Sequence, residues 1–189
     1  MSLTSSNMVP LGTQAPDFEL VDTVTNSLVT LKELKSDMAT VIMFICNHCP
    51  YVKHVREGIV QIAVDYIPRD VSFIAISSND VEKYPEDGPD EMKEEALKWN
   101  YPFPYLYDET QQVARDYDAA CTPEFYLYDK NLKLAYRGQM DDSRPGNEKP
   151  LTGNDIRSAM DSVLAGNPVS PDQIPSAGCN IKWKELDSD

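Results

Sequence analysis

No stretch of this chain is apolar enough to cross a bilayer: the strongest apolar run, residues 41–45, is far shorter than the roughly 20 residues a spanning helix needs. The start, residues 1–7, lacks the basic-then-apolar order of a secretory signal, so the expected location is the cytoplasm, with no membrane partner. Basic residues are scarce too. The chain has 17 Lys and Arg against 31 Asp and Glu, a formal net charge of -14, which removes the electrostatic basis for holding a phosphate backbone and argues against nucleic acid as a partner. Cysteine is sparse: Cys46, Cys49, Cys121 and Cys179 are too few for a disulfide scaffold in 189 residues. Histidine is rarer still, with only His48 and His54.

What remains is an ordinary globular composition, long enough for one domain with a sizeable core. Residues 1–11 read as a flexible start, 12–166 as the domain, and 167–189 as a Pro-containing tail that docks as loop, anchored by Ile181 and Trp183. Within the domain, residues 18–21 and 27–31 are short extended pieces joined by a polar turn, and 31–34 form one helical turn. Residues 39–45 are continuously apolar and β-branched, the pattern of a strand buried on both faces. Val52, Val55, Ile59, Ile62, Ala63 and Tyr66 then recur at three- and four-residue steps, one apolar stripe on a helix. Residues 71–77 are a second buried strand, completing a βαβ unit. A polar helix over 90–100, a short strand at 105–107 and a short helix at 111–117 follow. Residues 124–128 and 132–138 alternate around Asp129-Lys130-Asn131, a hairpin, and residues 152–165 form the last helix. The expected architecture is α/β: a mixed sheet with helices on both faces.

The chemistry concentrates at Cys46-Asn47-His48-Cys49. Cys46 follows directly on a buried strand, and Cys49 falls at the start of the following helix. A helix N-terminus offers unpaired N–H groups and partial positive charge, and both stabilise a thiolate, the reactive form of cysteine. The expected division of labour has Cys46, the more exposed sulfur, attack a substrate disulfide and Cys49 resolve the mixed disulfide. His48, when protonated, adds positive charge beside both sulfurs. No cofactor beyond the dithiol is implied, and the partners are protein or small-molecule disulfides and an external thiol reductant.

Several motifs together resemble one superfamily. Phe44-Ile45-Cys46-Asn47-His48-Cys49-Pro50 after a buried strand resembles the thioredoxin active site. Gly12-x-x-Ala15-Pro16-Asp17-Phe18-x-Leu20 is similar to the opening of the peroxiredoxin branch, the alkyl hydroperoxide reductase/thiol-specific antioxidant group. Cys121-Thr122-Pro123-Glu124-Phe125 resembles the Thr-Pro segment of thioredoxin folds. Residues 136–147 and the tail Gly178-Cys179-Asn180-Ile181-Lys182-Trp183-Lys184 resemble a peroxiredoxin-like subgroup carrying a thioredoxin-type C-x-x-C. The resemblance implies a thioredoxin-like fold with an extra N-terminal β-hairpin and a wrapping C-terminal tail. It also implies a cis Pro123 beside the dithiol, and a Thr122 backbone offered to an incoming peptide, so Thr122 and Pro123 are the substrate-binding candidates.

The sequence departs from both patterns. Peroxiredoxins carry Thr-x-x-Cys here; Cys46 stands at the Thr position and Cys49 at the peroxidatic one. Their activating arginine has only Arg137 and Arg144 as candidates. The buried acid that thioredoxins place before the motif is missing from residues 41–45, leaving Glu124 as the candidate proton acceptor. The alternative function is therefore a thiol peroxidase with antioxidant activity, in which Cys49 attacks peroxide and Cys46 resolves the sulfenic acid. Cys121 and Cys179 are candidate secondary thiols, with packing the ordinary role of a buried cysteine. A metal-binding reading would combine Cys46, His48, Cys49 and a distant cysteine. Structural zinc sites show two close pairs and this sequence has one, so no metal is expected. Asp141, Asp142, Ser143 and Arg144 read either as a local turn or as a wall of a substrate cleft.

Overall fold

The computed structural model describes residues 3–185. In chain order it begins with β1 (Leu3–Ser5), then a hairpin of β2 (Glu19–Asp22) and β3 (Ser27–Thr30), and the helical turn α1 (Leu31–Leu34). That turn starts with a capping box: Thr30 accepts from the Glu33 N–H, and the Glu33 carboxylate accepts from the Thr30 N–H. Strand β4 (Ala39–Phe44), helix α2 (Pro50–Tyr66) and strand β5 (Val71–Ser77) form the βαβ unit. Helix α3 (Pro89–Lys98), β6 (Tyr105–Tyr107), α4 (Gln112–Asp116), β7 (Cys121–Thr122), β8 (Glu124–Asp129), β9 (Leu134–Gly138), α5 (Asn154–Leu164) and β10 (Ala177–Asn180) complete the fold.

The main sheet has seven strands in the order β3-β2-β6-β5-β4-β8-β9. β4, β5 and β6 run parallel, while the hairpin β2–β3 on one side and β8–β9 on the other run antiparallel. β4 is central and all six of its residues are buried, which is why its sequence is continuously apolar rather than alternating. Its alternate side chains enter two cores. Val41 and Met43 join the stripe of α2, Met92 and Ala96 of α3, and Ile156 and Met160 of α5. Ile42 and Phe44 point the other way, toward Leu31 of α1, Val113 and Ala114 of α4, and Tyr126 and Tyr128. Each such apolar side chain contributes about 1.5–3 kcal/mol on burial. No helix among the described residues is long and apolar enough to cross a membrane.

The structure corrects the expectation at both ends. The tail is not all loop: Ala177–Asn180 is strand β10, the middle of a second, three-stranded antiparallel sheet, β1-β10-β7. The start expected to be flexible supplies β1, which pairs Leu3 with Cys179 and Ser5 with Ala177. Residues 1–2 and 186–189 of those two segments lie outside the described residues. Neither short strand carries a pattern of its own, because β1 exists by pairing with distant β10, and β10 by pairing with β1 and β7.

Candidate active site

The sheet brings the dithiol and the Thr-Pro segment together. β4 ends at Phe44, whose partner across the antiparallel ladder is Glu124. Continuing that register, Pro123 and Thr122 lie alongside Ile45 and Cys46. The Thr122–Pro123 peptide bond is cis, and Thr122 Oγ1 sits 3.4 Å from Cys46 Sγ. Cys49 is the N-cap of α2 and Pro50 its first residue, where a missing N–H costs nothing. Cys49 Sγ lies 3.4 Å from the Thr122 carbonyl oxygen.

Both sulfurs are covered. Cys46 is 2% exposed and Cys49 0%, so Cys46 is the more exposed of the two only by a trace. The neighbouring Cys46 thiol, and after it Cys179 and the Val52 N–H, lower Cys49 to about 5. Burial and the neighbouring Cys49 push Cys46 well above the ordinary thiol range. The two opposite shifts favour ionisation of Cys49 over Cys46.

The two residues between the cysteines are pinned from a loop the sequence did not mark. Asp87 is fully buried and accepts four hydrogen bonds: from the backbone N–H of Asn47 at 2.8 Å, the N–H of His48 at 3.1 Å, Asn79 Nδ2 at 2.8 Å and His48 Nδ1 at 2.5 Å. Burial pushes the Asp87 carboxyl up, but the bonds from His48, Asn79 and Asn47 outweigh it and hold it below the usual range. The same Asp87 bond raises His48 above the ordinary imidazole value, against burial. His48 stacks on Tyr84, ring centroids 4.9 Å apart. Asn47 is held further by Tyr105 Oη and the Glu86 carbonyl, each within 3.0 Å. A protonated His48 therefore arrives with its counter-charge, and Asp87 itself disfavours a Cys46 thiolate. A buried acid in that turn has no local signature in the sequence.

Cys46, His48 and Asp87 also offer metal-donor atoms within 4.8 Å of one another. The His48–Asp87 bond commits two of these three donors to each other, and a structural zinc site needs four.

Thr122 does not present a vacant edge. Its partner in the small sheet is Cys179 of β10, and Cys121 pairs with Asn180. This pairing puts Cys179 Sγ 2.7 Å from Cys49 Sγ. Cys121 is fully buried, its thiol lies 4.0 Å from the Pro123 carbonyl oxygen, and burial pushes it far up. Gly178 makes the close approach: a Cβ there would collide with the carbonyl oxygen of Thr122 and lie 3.2 Å from Pro123 Cδ.

Glu124 and Arg137 form a wholly buried ion pair at 2.9 Å. Glu124 also accepts from the Ala120 N–H, and Arg137 donates to the Asp118 carbonyl. Arg144 donates to the carbonyls of Asp141 and Ser143 and to Gln139 Oε1. The hydrogen bonds of both candidate arginines thus go elsewhere than to the thiols, and Glu124 serves Arg137. Asp141, Ser143 and Arg144 line a small cleft of about 20 Å³ with Pro123, Tyr51 and His54, while Asp142 is turned out toward Lys149. The local-turn reading of that cluster is seen directly, since Asp141 accepts from the Ser143 N–H.

A family model described as the AhpC/TSA family matches residues 11–137. No curated protein sequence matches significantly. Among solved structures, an uncharacterized conserved protein from Geobacillus kaustophilus is similar at 59% identity, with a TM-score of 0.97 over 98% of each chain. A hypothetical protein from Sinorhizobium meliloti is 47% identical, with a TM-score of 0.93 over 96% of this chain and 98% of that one. The thioredoxin domain of a thiol-disulfide oxidoreductase from Bacteroides vulgatus is 14% identical, with a TM-score of 0.60 over 79% of this chain and 97% of that one, a likeness of fold.

Proposed function

The chain belongs to the AhpC/TSA family, and we propose that within it this protein is a thiol–disulfide oxidoreductase working through Cys46 and Cys49. The observation that carries the reading is the placement of two thiols at the start of α2, each 3.4 Å from an atom of Thr122, beside cis-Pro123. One proton serves two sulfurs, so a nucleophile is present at neutral pH. When that proton passes to Cys49, Cys46 attacks a substrate disulfide, forming a mixed disulfide and expelling one substrate thiolate. Cys49 then attacks Cys46 and expels the second, leaving Cys46–Cys49 oxidised. An external thiol reductant restores the dithiol. The His48–Asp87 pair holds the loop between the sulfurs in place.

The second reading is a thiol peroxidase. One observation favours it: Cys49, the sulfur whose ionisation its neighbours favour, is the helix N-cap that the peroxidatic position occupies. Against it, Arg137 and Arg144 make their hydrogen bonds away from Cys49. Stopped-flow oxidation of the reduced protein separates the two readings. Fast reaction with oxidised glutathione or a model protein disulfide, slow reaction with hydrogen peroxide, and a Cys49→Ser variant that accumulates mixed disulfide through Cys46 are the expected results. Fast, saturable oxidation by peroxide that survives Cys46→Ser would overturn the first reading and establish the second.

A further inference from the structure

We propose that Cys179 is a third redox thiol, and that the disulfide of the oxidised protein moves between Cys46–Cys49 and Cys49–Cys179. The proposal rests on the dithiol reading above and extends it to a residue on another strand.

Three observations carry it. Cys49 is the shared neighbour of both other sulfurs, and the Cys49–Cys179 separation of 2.7 Å is within an ångström of the roughly 2.05 Å of an S–S bond. The approach is built by backbone: β10 pairs Cys179 opposite Thr122, and Gly178 removes the side chain that would hold the strands apart. The strand is also fixed at its flanks. The Ser176 carbonyl accepts from the Ser6 N–H, Ile181 N–H donates to the Ala120 carbonyl, and Lys182 is bonded through its N–H to Asn79 and through its carbonyl to the Asp80 N–H and Gln111. Cys179 is thus delivered to Cys49 by the folded tail, which fills the edge beside Thr122.

The exchange balances without an added oxidant or reductant. In the Cys46–Cys49 oxidised protein, Cys179 loses its proton and attacks Cys49 Sγ. The Cys49–Cys179 bond forms and the Cys46–Cys49 bond breaks. The electron pair leaves on Cys46, which takes up the proton that Cys179 gave up. The protein stays oxidised by two electrons, and Cys46 returns to the thiol form. In the reduced protein burial, and after it Cys49, push Cys179 up to about 12, and a disulfide at Cys49 removes the second of these.

The test oxidises the full-length protein in a glutathione redox buffer, quenches it in acid and maps disulfides by peptide mass spectrometry without reduction. In wild type, Cys49–Cys179 is expected to make up at least about a tenth of the oxidised protein, which corresponds to the two disulfides lying within about 30 mV. In Cys46→Ser it should become the intramolecular disulfide, and in Cys179→Ser only Cys46–Cys49 should form. Wild type and Cys46→Ser both lacking a Cys49–Cys179 bond, with Cys46–Cys49 present in wild type, would overturn the proposal and leave the dithiol reading standing. Absence of Cys46–Cys49 in both wild type and Cys179→Ser would instead sink the dithiol reading.

Discussion

Replacing Cys49 by serine in the reduced protein should remove a pH-dependent part of its stability, and the size of that part follows from the site. Folded Cys49 titrates near 5, held down by the Cys46 thiol first and by Cys179 and the Val52 N–H after it, whereas an unfolded cysteine titrates at about 8.5. A depressed folded value contributes stability that is complete above the unfolded value and is lost as pH falls toward the folded one. At pH 7 the group is ionised when folded and protonated when unfolded. Two pH units above the folded value are worth about 3 kcal/mol, with a slope of about 1.4 kcal/mol per pH unit. The other two thiols do not confuse the window. Cys46 and Cys179 are raised, so below pH 8 they are protonated in both states. Asp87 is lowered, so its contribution is lost only on acidification below the ordinary carboxylate range. His48 is raised, chiefly by Asp87 with a smaller part from Cys49, so its contribution declines above its unfolded value and that decline is slightly smaller in the variant. The assay is urea unfolding of wild type and Cys49→Ser between pH 5 and pH 8 under reductant, with thiolate absorbance near 240 nm recorded in parallel. The difference in unfolding free energy should grow with pH at that slope, and the absorbance step near pH 5 should vanish in the variant. Parallel stability curves, or a wild type with no thiolate absorbance at pH 7, would refute the placement of the charge on Cys49.

Two further outcomes follow from the buried charges. Asp87→Asn keeps the shape but removes an acceptor charge from four donors, so the His48 midpoint should fall and stability should drop by about 3–5 kcal/mol, the usual cost of breaking a buried pair; an unchanged His48 midpoint by NMR would exclude Asp87 as its partner. Glu124→Gln strands a guanidinium that is 0% exposed, and a loss of about 3–5 kcal/mol is expected by denaturant titration, with no change in the pH at which the thiolate forms; a shifted thiolate midpoint would show that Glu124 does reach the dithiol.

The sequence by itself determined the βαβ core and the place of the dithiol. A strand buried on both faces must be apolar throughout, and a helix lying on it must repeat its apolar residues every three or four positions, so residues 39–66 spell out β4 and α2 directly. Cys46 and Cys49 then fall at the strand–helix junction whatever the remaining chain does. The partners of those sulfurs were decided by tertiary structure. Asp87 lies in a turn whose sequence specifies only a turn, and it becomes a buried acceptor because that turn packs over the Asn47 and His48 N–H groups. β7 has two residues and β10 four, too few for a period to be read. They become strands because each supplies hydrogen-bond partners to the other, and only that long-range pairing places Cys179 against Cys49. Local periodicity records which faces are buried, but it does not record which distant backbone will cover them.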